Sequence, residues 1–270
     1  MSLMRIISYG GGVQSTALCV LATQGKIGPV DAALFSNVGS DSENPQTLAY
    51  VQAFAPWSAE RGLNVVELNR IKRDGTTETL LENLLRPGSR SINIPIRMPD
   101  TGAPGNRNCT ETFKVKVIRR WLRAHGVTKD NPATVLVGFS IDEMQRVNNR
   151  RPSAYEIPEH PLLDLRLNRH DCKLVIADAG LPVPPKSACY FCPFSRPSHF
   201  SKMRRDEPAL FWKASELETV LNKRRDDLGK DHVYLTRFGK PLADAIQEEQ
   251  PDLDFGELGS EGCDDGYCWT

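Results

Sequence analysis

The chain has 270 residues, 40% hydrophobic and 25% charged, the proportions of an ordinary globular protein long enough to bury a substantial core. No window approaches the roughly 18 consecutive apolar residues of a membrane span, and a formal net charge of zero gives no global electrostatic drive toward nucleic acid. The charge is unevenly spread: 114–123 and Arg146, Arg150, Arg151, Arg166, Arg169 and His170 are basic, while 244–265 is acidic. That pattern suits either a local face for a polyanion or solvated helix surfaces.

The opening Met-Ser-Leu-Met-Arg runs straight into a predicted strand without the regions of a secretory signal, so a cytoplasmic location is expected. Residues 5–8 read as a short strand, and the glycine run after it opens a helix through about residue 23. A second strand is predicted at 32–36, a helix at 45–61, a third strand at 64–68, and a helix from 77 to about 87. A proline- and glycine-rich loop at 98–108 precedes an amphipathic helix at 110–125 and an apolar strand at 133–138. This alternation predicts an α/β fold with a parallel sheet, ligands lying at the carboxyl ends of its strands. Beyond 150, prolines at 152, 158, 161, 182, 184, 185, 193 and 197 predict irregular structure interrupted by one helix at 170–179. The chain reads as helical again over 198–227, with Trp212, Leu217 and Leu221 as core, and ends in an acidic tail or flap.

Ser8-Tyr9-Gly10-Gly11-Gly12-Val13-Gln14-Ser15-Thr16 joins the first strand to the first helix. Glycine there permits positive φ and close backbone approach to phosphate oxygens, and the free amides of the helix start favour an anion. The sequence is neither a Walker A loop nor the dinucleotide fingerprint. It resembles the PP-loop, Ser-Gly-Gly-x-Asp-Ser, of N-type ATP pyrophosphatases and the related phosphoadenylylsulfate (PAPS) reductases. Gly10, Gly11, Gly12, Ser15 and Thr16 fall on that pattern, while Gln14 replaces the usual Asp, as in the PAPS reductase branch. Phe35-Ser36-Asn37-Val38-Gly39 matches the family's adenosine-contacting segment after the second strand, with Asn37 in place of Asp. Gly138-Phe139-Ser140-Ile141-Asp142-Glu143-Met144-Gln145-Arg146 is similar to its second phosphate-side motif. There Arg146 would neutralise polyphosphate, and Asp142 or Glu143 would hold Mg²⁺. Taken alone, an Asp-Glu-x-x-Arg run also suits a capped helix start.

Seven cysteines stand at 19, 109, 172, 189, 192, 263 and 268. Cys19, in an apolar run, reads as a buried hydrophobe. The odd total argues against a fully paired disulfide framework. Cys189-Tyr190-Phe191-Cys192-Pro193-Phe194 brings two thiolates to one metal or cluster, and Cys109 and Cys172 supply a candidate remaining pair. Zinc and iron accept the same thiolates, and an isolated redox pair is a third option. Arg107-Asn108-Cys109-Thr110 followed by Cys-x-x-Cys-Pro-Phe resembles a PAPS-reductase-like subgroup that includes the ATP pyrophosphatases of DNA phosphorothioation, which favours a [4Fe-4S] cluster over zinc. Cys263 and Cys268 match the place, though not the Glu-Cys-Gly-x-His signature, of the mobile nucleophilic cysteine of assimilatory reductases. Lys114, Arg120 and Lys186 are candidate anion contacts or ordinary surface charges.

The resemblance implies a HUP-like, Rossmann-like nucleotide domain over 1–150, a cysteine-rich segment over 151–197, and a helical extension with a cysteine-bearing tail over 198–270. It implies an ATP- and Mg²⁺-dependent adenylating sulfurtransferase acting on DNA or tRNA, with a cysteine desulfurase or thiol reductant as donor. The rival readings are a thiol-dependent reductase of PAPS or adenylylsulfate (APS) and a non-catalytic nucleotide- or nucleic-acid-binding module with structural zinc. A homodimer is compatible with the sequence.

Overall fold

A computed structural model describes residues 3–149 and 153–247. Its centre is a sheet of five parallel strands in the order β3-β2-β1-β4-β5, with β1 at Arg5–Tyr9, β2 at Ala32–Asn37, β3 at Val65–Asn69, β4 at Ala133–Val137 and β5 at Glu156–Glu159. The chain steps outward from β1 through β2 to β3, then returns to the other side of β1 for β4 and β5. The order in which strands are added therefore reverses between β1 and β4, where an open α/β sheet leaves a crevice at its carboxyl edge.

The period-two alternation of the strands feeds two cores. Ile7, Tyr9, Ala33, Phe35 and Leu136 face the helices α1 (Val13–Thr23), α2 (Pro45–Ala59) and α7 (Arg169–Asp178). Ile6, Leu34, Val135 and Val137 pack against Ile118 and Leu122 of α5 (Lys116–Ala124) on the other face. Local caps fix the helix starts. Asn44 accepts from the Gln46 amide ahead of Pro45, and Thr79 with Glu82 forms a capping box at α3 (Leu80–Leu85), so that helix begins later than its sequence suggested.

The sheet continues past residue 150, into the part expected to be irregular. Pro158 lies in β5, where an edge strand can spare the amide that a central strand needs. Arg119 secures this strand through its Nε, 2.7 Å from Glu156 Oε1. The helical stretch expected at 198–227 is two helices, α8 (Pro197–Asp206) and α9 (Pro208–Asp226), divided at Glu207. Leu217 and Leu221 are core residues as expected, whereas Trp212 is half exposed against Arg204. No described helix is long and apolar enough to cross a membrane.

A third core joins the extension to the cysteine segment. Phe191, Phe113, Ile94 and Ile96 pack with Phe200, Phe211, Leu217 and Leu235. Glu218, buried in α9, accepts from the amides of Leu235 (2.6 Å) and Leu242 (2.7 Å) and so pins the bend at Leu235 and α10 (Leu242–Ala245) to the helix. Glu218→Leu is expected to destabilise the fold by about 2 kcal/mol or more, since two buried donors lose their acceptor. Burial pushes the Glu218 carboxyl from its ordinary 4.5 up to about 7, against the pull of those two donors. The raised value makes the group's contribution full below pH 4.5 and lost as pH rises through about 7. Thermal melts should show that falling limb in the native chain and a flatter one in Glu218→Gln.

Candidate functional site

Gly10, Gly11 and Gly12 carry the chain from β1 into α1. Gly11 holds φ +74°, and a Cβ there would sit 3.0 Å from Val51 and 3.1 Å from Thr47. Ser15 closes the turn by accepting from the Gly10 amide (3.2 Å) and donating to the Gly12 carbonyl (3.2 Å). No side chain caps α1, and its first turn carries no acidic residue. The helix thus presents amides that have no partner within it, with the positive end of its dipole. Gly138, after β4, lies directly against this turn: a Cβ would stand 3.0 Å from the Gln14 carbonyl carbon and 3.0 Å from the Ser15 nitrogen. The glycine turn accordingly sits in the crevice where the strand order reverses.

Several predicted contacts are used for building the site. Thr16 is fully buried with its hydroxyl toward the phenols of Tyr9 and Tyr50, and its amide is taken by the Gly12 carbonyl, so it faces the core. Ser8 is buried between β2 and β4. Asn37 donates to Glu67 (2.8 Å) and accepts from the Gly39 amide (2.8 Å), shaping the loop after β2, while Ser36 Oγ lies 3.5 Å from the Lys114 carbonyl. Asp142 and Glu143, at the start of the 3-10 helix Ile141–Asn149, already accept from protein donors: the Arg169 amide (2.6 Å) and Gln14 Nε2 (3.3 Å) respectively. Arg120 donates to the Ile71 carbonyl. Arg146 belongs to the 3-10 helix, but its side chain, like all of Cys263 and Cys268, lies outside the described residues.

Three of the four predicted thiol residues line one cavity. Cys109, Cys189 and Cys192 share it with Thr110, Lys114, Arg107, Phe191, Pro193 and Phe194. The Cys-x-x-Cys is a tight turn, its Cys192 amide donating to the Cys189 carbonyl at 3.0 Å. It is docked on the loop after β2 through Asn44 N to Ala188 O (3.2 Å), Tyr190 N to Ser42 O (3.4 Å) and a bridge between Glu43 and Cys189. Cys109 begins a helix interrupted by a π-helical turn at Glu111–Val115. Five residues along a regular α-helix turn a side chain about 140° away. The wider π-turn closes i to i+5 contacts instead, which fits Cys109 and Lys114 lining the same cavity. Arg97 and Arg107 both stack on Phe194, and Arg97 also donates to the Pro193 carbonyl (3.2 Å).

Cys172 does not join them. It is fully buried on α7 in the core shared with Ala17, Leu18 and Ile176. Burial first, then the Asp171 and Glu143 charges, push its thiol up to about 12. Cys19 is likewise buried, its thiol raised by desolvation. Among the described residues no group of three or more His, Cys, Asp and Glu side chains is arranged to hold a metal ion. The four-thiolate set is therefore not assembled, although three of its members share a wall.

No protein-family model matches the chain, and no curated protein matches it.

The two halves of the site adjoin. Ser187, two residues before Cys189, places its Oγ 4.0 Å from where a Cβ on Gly10 would lie. Sequence reasoning singled out neither Ser187 nor Arg107 nor Phe194 as site residues. The adjacency of Arg107 to Cys109 and of Phe194 to Cys192-Pro193 was the available signal.

Proposed function

We propose that the chain is an adenine-nucleotide-dependent sulfur-transfer enzyme, in which the glycine turn receives the phosphates and the cavity of Cys109, Cys189 and Cys192 handles sulfur. The observation carrying this reading is the approach of Ser187 Oγ to the glycine turn, 4.0 Å from where a Cβ on Gly10 would lie, two residues before Cys189 of the thiol-lined cavity. The resemblance to PP-loop enzymes supplies the nucleotide. In the proposed reaction an acceptor oxygen attacks the α-phosphorus of magnesium-bound ATP, and pyrophosphate leaves with the bonding electrons. A sulfur nucleophile then attacks the adenylated centre and AMP departs with the acceptor oxygen. The amides of α1 oppose the charge that develops on the phosphates. Arg107 and Lys114 favour anionic sulfur in the cavity. For the [4Fe-4S] cluster or zinc that the resemblance implies, Cys109, Cys189 and Cys192 are the candidate thiolates, which would have to draw together to hold it, and its chemistry is to bind or activate sulfur. DNA and tRNA are the acceptors to test, with a cysteine desulfurase or a thiol reductant as donor.

Release of pyrophosphate from ATP under anaerobic conditions, with and without Mg²⁺, tests the reading. Magnesium-dependent release is expected, and Cys189→Ala should keep nucleotide binding while losing sulfur transfer. Thiol-dependent sulfite release from PAPS or APS without ATP turnover would establish the reductase instead. Tight nucleotide binding without turnover of any of these substrates would leave a binding module.

A further inference from the structure

A second set of side chains meets the first turn of α1, centred on Arg169. Its guanidinium donates from Nη1 to Gln14 Oε1 at 2.9 Å, and the other side of that amide, Nε2, donates to Glu143 Oε1 at 3.3 Å. The backbone amide of Arg169 donates to Asp142 Oδ2 at 2.6 Å, an oxygen that also lies 3.4 Å from Ser140 Oγ. One residue later in the 3-10 segment's approach to α7 the pattern is reinforced by the Ile141 amide, which donates to the Leu167 carbonyl at 3.0 Å. Arg169 is therefore tied at both ends, by its main chain to the 3-10 helix and by its side chain to the glycine turn.

The chemistry leaves Gln14 a single sensible orientation. Its carbonyl oxygen must meet the guanidinium and its NH₂ the carboxylate, because the flipped amide would oppose donor to donor and acceptor to acceptor. Gln14 is 4% exposed and Glu143 also 4%, so the bond between them is shielded from water, while Arg169 reaches it from a half-buried position. Beneath it, α7 packs on α1 through Cys172 and Ile176 against Ala17 and Leu18, which fixes the distance the guanidinium spans. The start of α7 is fixed by a capping box in which Asn168 accepts from the Asp171 amide and Asp171 from the Asn168 amide.

We infer that Arg169 is a positioning residue for the glycine turn, coupling the anion-accepting end of α1, through Gln14, to the 3-10 helix that carries Arg146. The effect on nucleotide affinity rests on the proposed function; the coupling between segments stands apart from it.

Arg169→Gln, Arg169→Lys, Gln14→Leu and the Arg169→Gln/Gln14→Leu double variant decide the matter, read by ATP calorimetry and by hydrogen exchange without nucleotide. Arg169→Gln should weaken ATP about tenfold, a coupling of ordinary size for one half-buried charged contact. It should also raise exchange over 13–16 and 141–149 together, while β1 and β4 stay protected. Arg169→Lys should recover most of the affinity, and the double variant should lose no more than the worse single. Exchange that rises only in α7, or a double whose loss is the product of the two singles, would overturn the coupling. Should the native chain fail to bind ATP, the nucleotide reading falls, and the exchange pattern still decides for or against Arg169.

Discussion

Replacing Gly138 by Ala is expected to weaken nucleotide binding by at least tenfold and to destabilise the protein by about 1–3 kcal/mol, the range for forcing extra volume into a packed contact. The backbone at Gly138 is not in the left-handed region, so the new methyl group brings no conformational strain of its own. What it meets is main chain: the Gln14 carbonyl carbon and the Ser15 nitrogen, each at 3.0 Å. A side chain in that place could turn aside; the first turn of a helix cannot. The helix start must move off the end of β4, and with it the amides proposed to hold phosphate. Gly126→Ala makes the matched control, since φ there is +85° but nothing lies within 4 Å of the added methyl. It should lose stability through strain alone and keep its affinity. Calorimetry with ATP and thermal melts on both variants check this, and native affinity in Gly138→Ala would mean that the close approach of β4 does not set the turn.

The second large effect concerns the thiols. Protein purified without oxygen and assayed for metal should contain iron with a broad visible absorption, about four irons per chain if a [4Fe-4S] cluster is held. Cys109→Ala, Cys189→Ala and Cys192→Ala should each abolish it. Cys172→Ala should retain the metal in full and instead lose roughly 1 kcal/mol of stability as a small cavity opens between α1 and α7. Loss of metal in Cys172→Ala, in a variant that remains folded, would contradict its placement in the other core. One colourless zinc per chain would replace the cluster by zinc, and a metal-free native protein would leave the cavity as a site of thiol or persulfide chemistry alone.

How far these features could be read beforehand depended on which physical signal each one left. The run from β1 to β3 and the β4 strand were legible because apolar strands, amphipathic helices and glycines alternate there with little interference. β5 was not, because Glu156-Ile157-Pro158-Glu159 is short, polar and broken by a proline that only its edge position tolerates. The glycine turn was legible as a local motif. Its partner Arg169 was not, because a contact across 155 residues leaves no mark in spacing. Cys172 was grouped with the other cysteines on residue type and its place near a helix start, although Cys172 and Ile176, four apart, mark the inward stripe of α7. Counting thiols cannot say toward which core each one turns.

The π-turn at Glu111–Val115 has a further consequence for the helix that contains it. The residues before and within it, Cys109, Thr110 and Lys114, look into the thiol cavity, and Phe113 belongs to the core of the C-terminal extension. The residues after it, Ile118 and Leu122, belong to the core beneath the sheet. One continuous rod is thus divided into two halves of different phase, and the extra residue is the phase shifter. Removing it would rotate one half against the other by about 100°, so that no single register could seat both. The helix works as a keyed shaft between sheet and cavity, and its key is one residue wide.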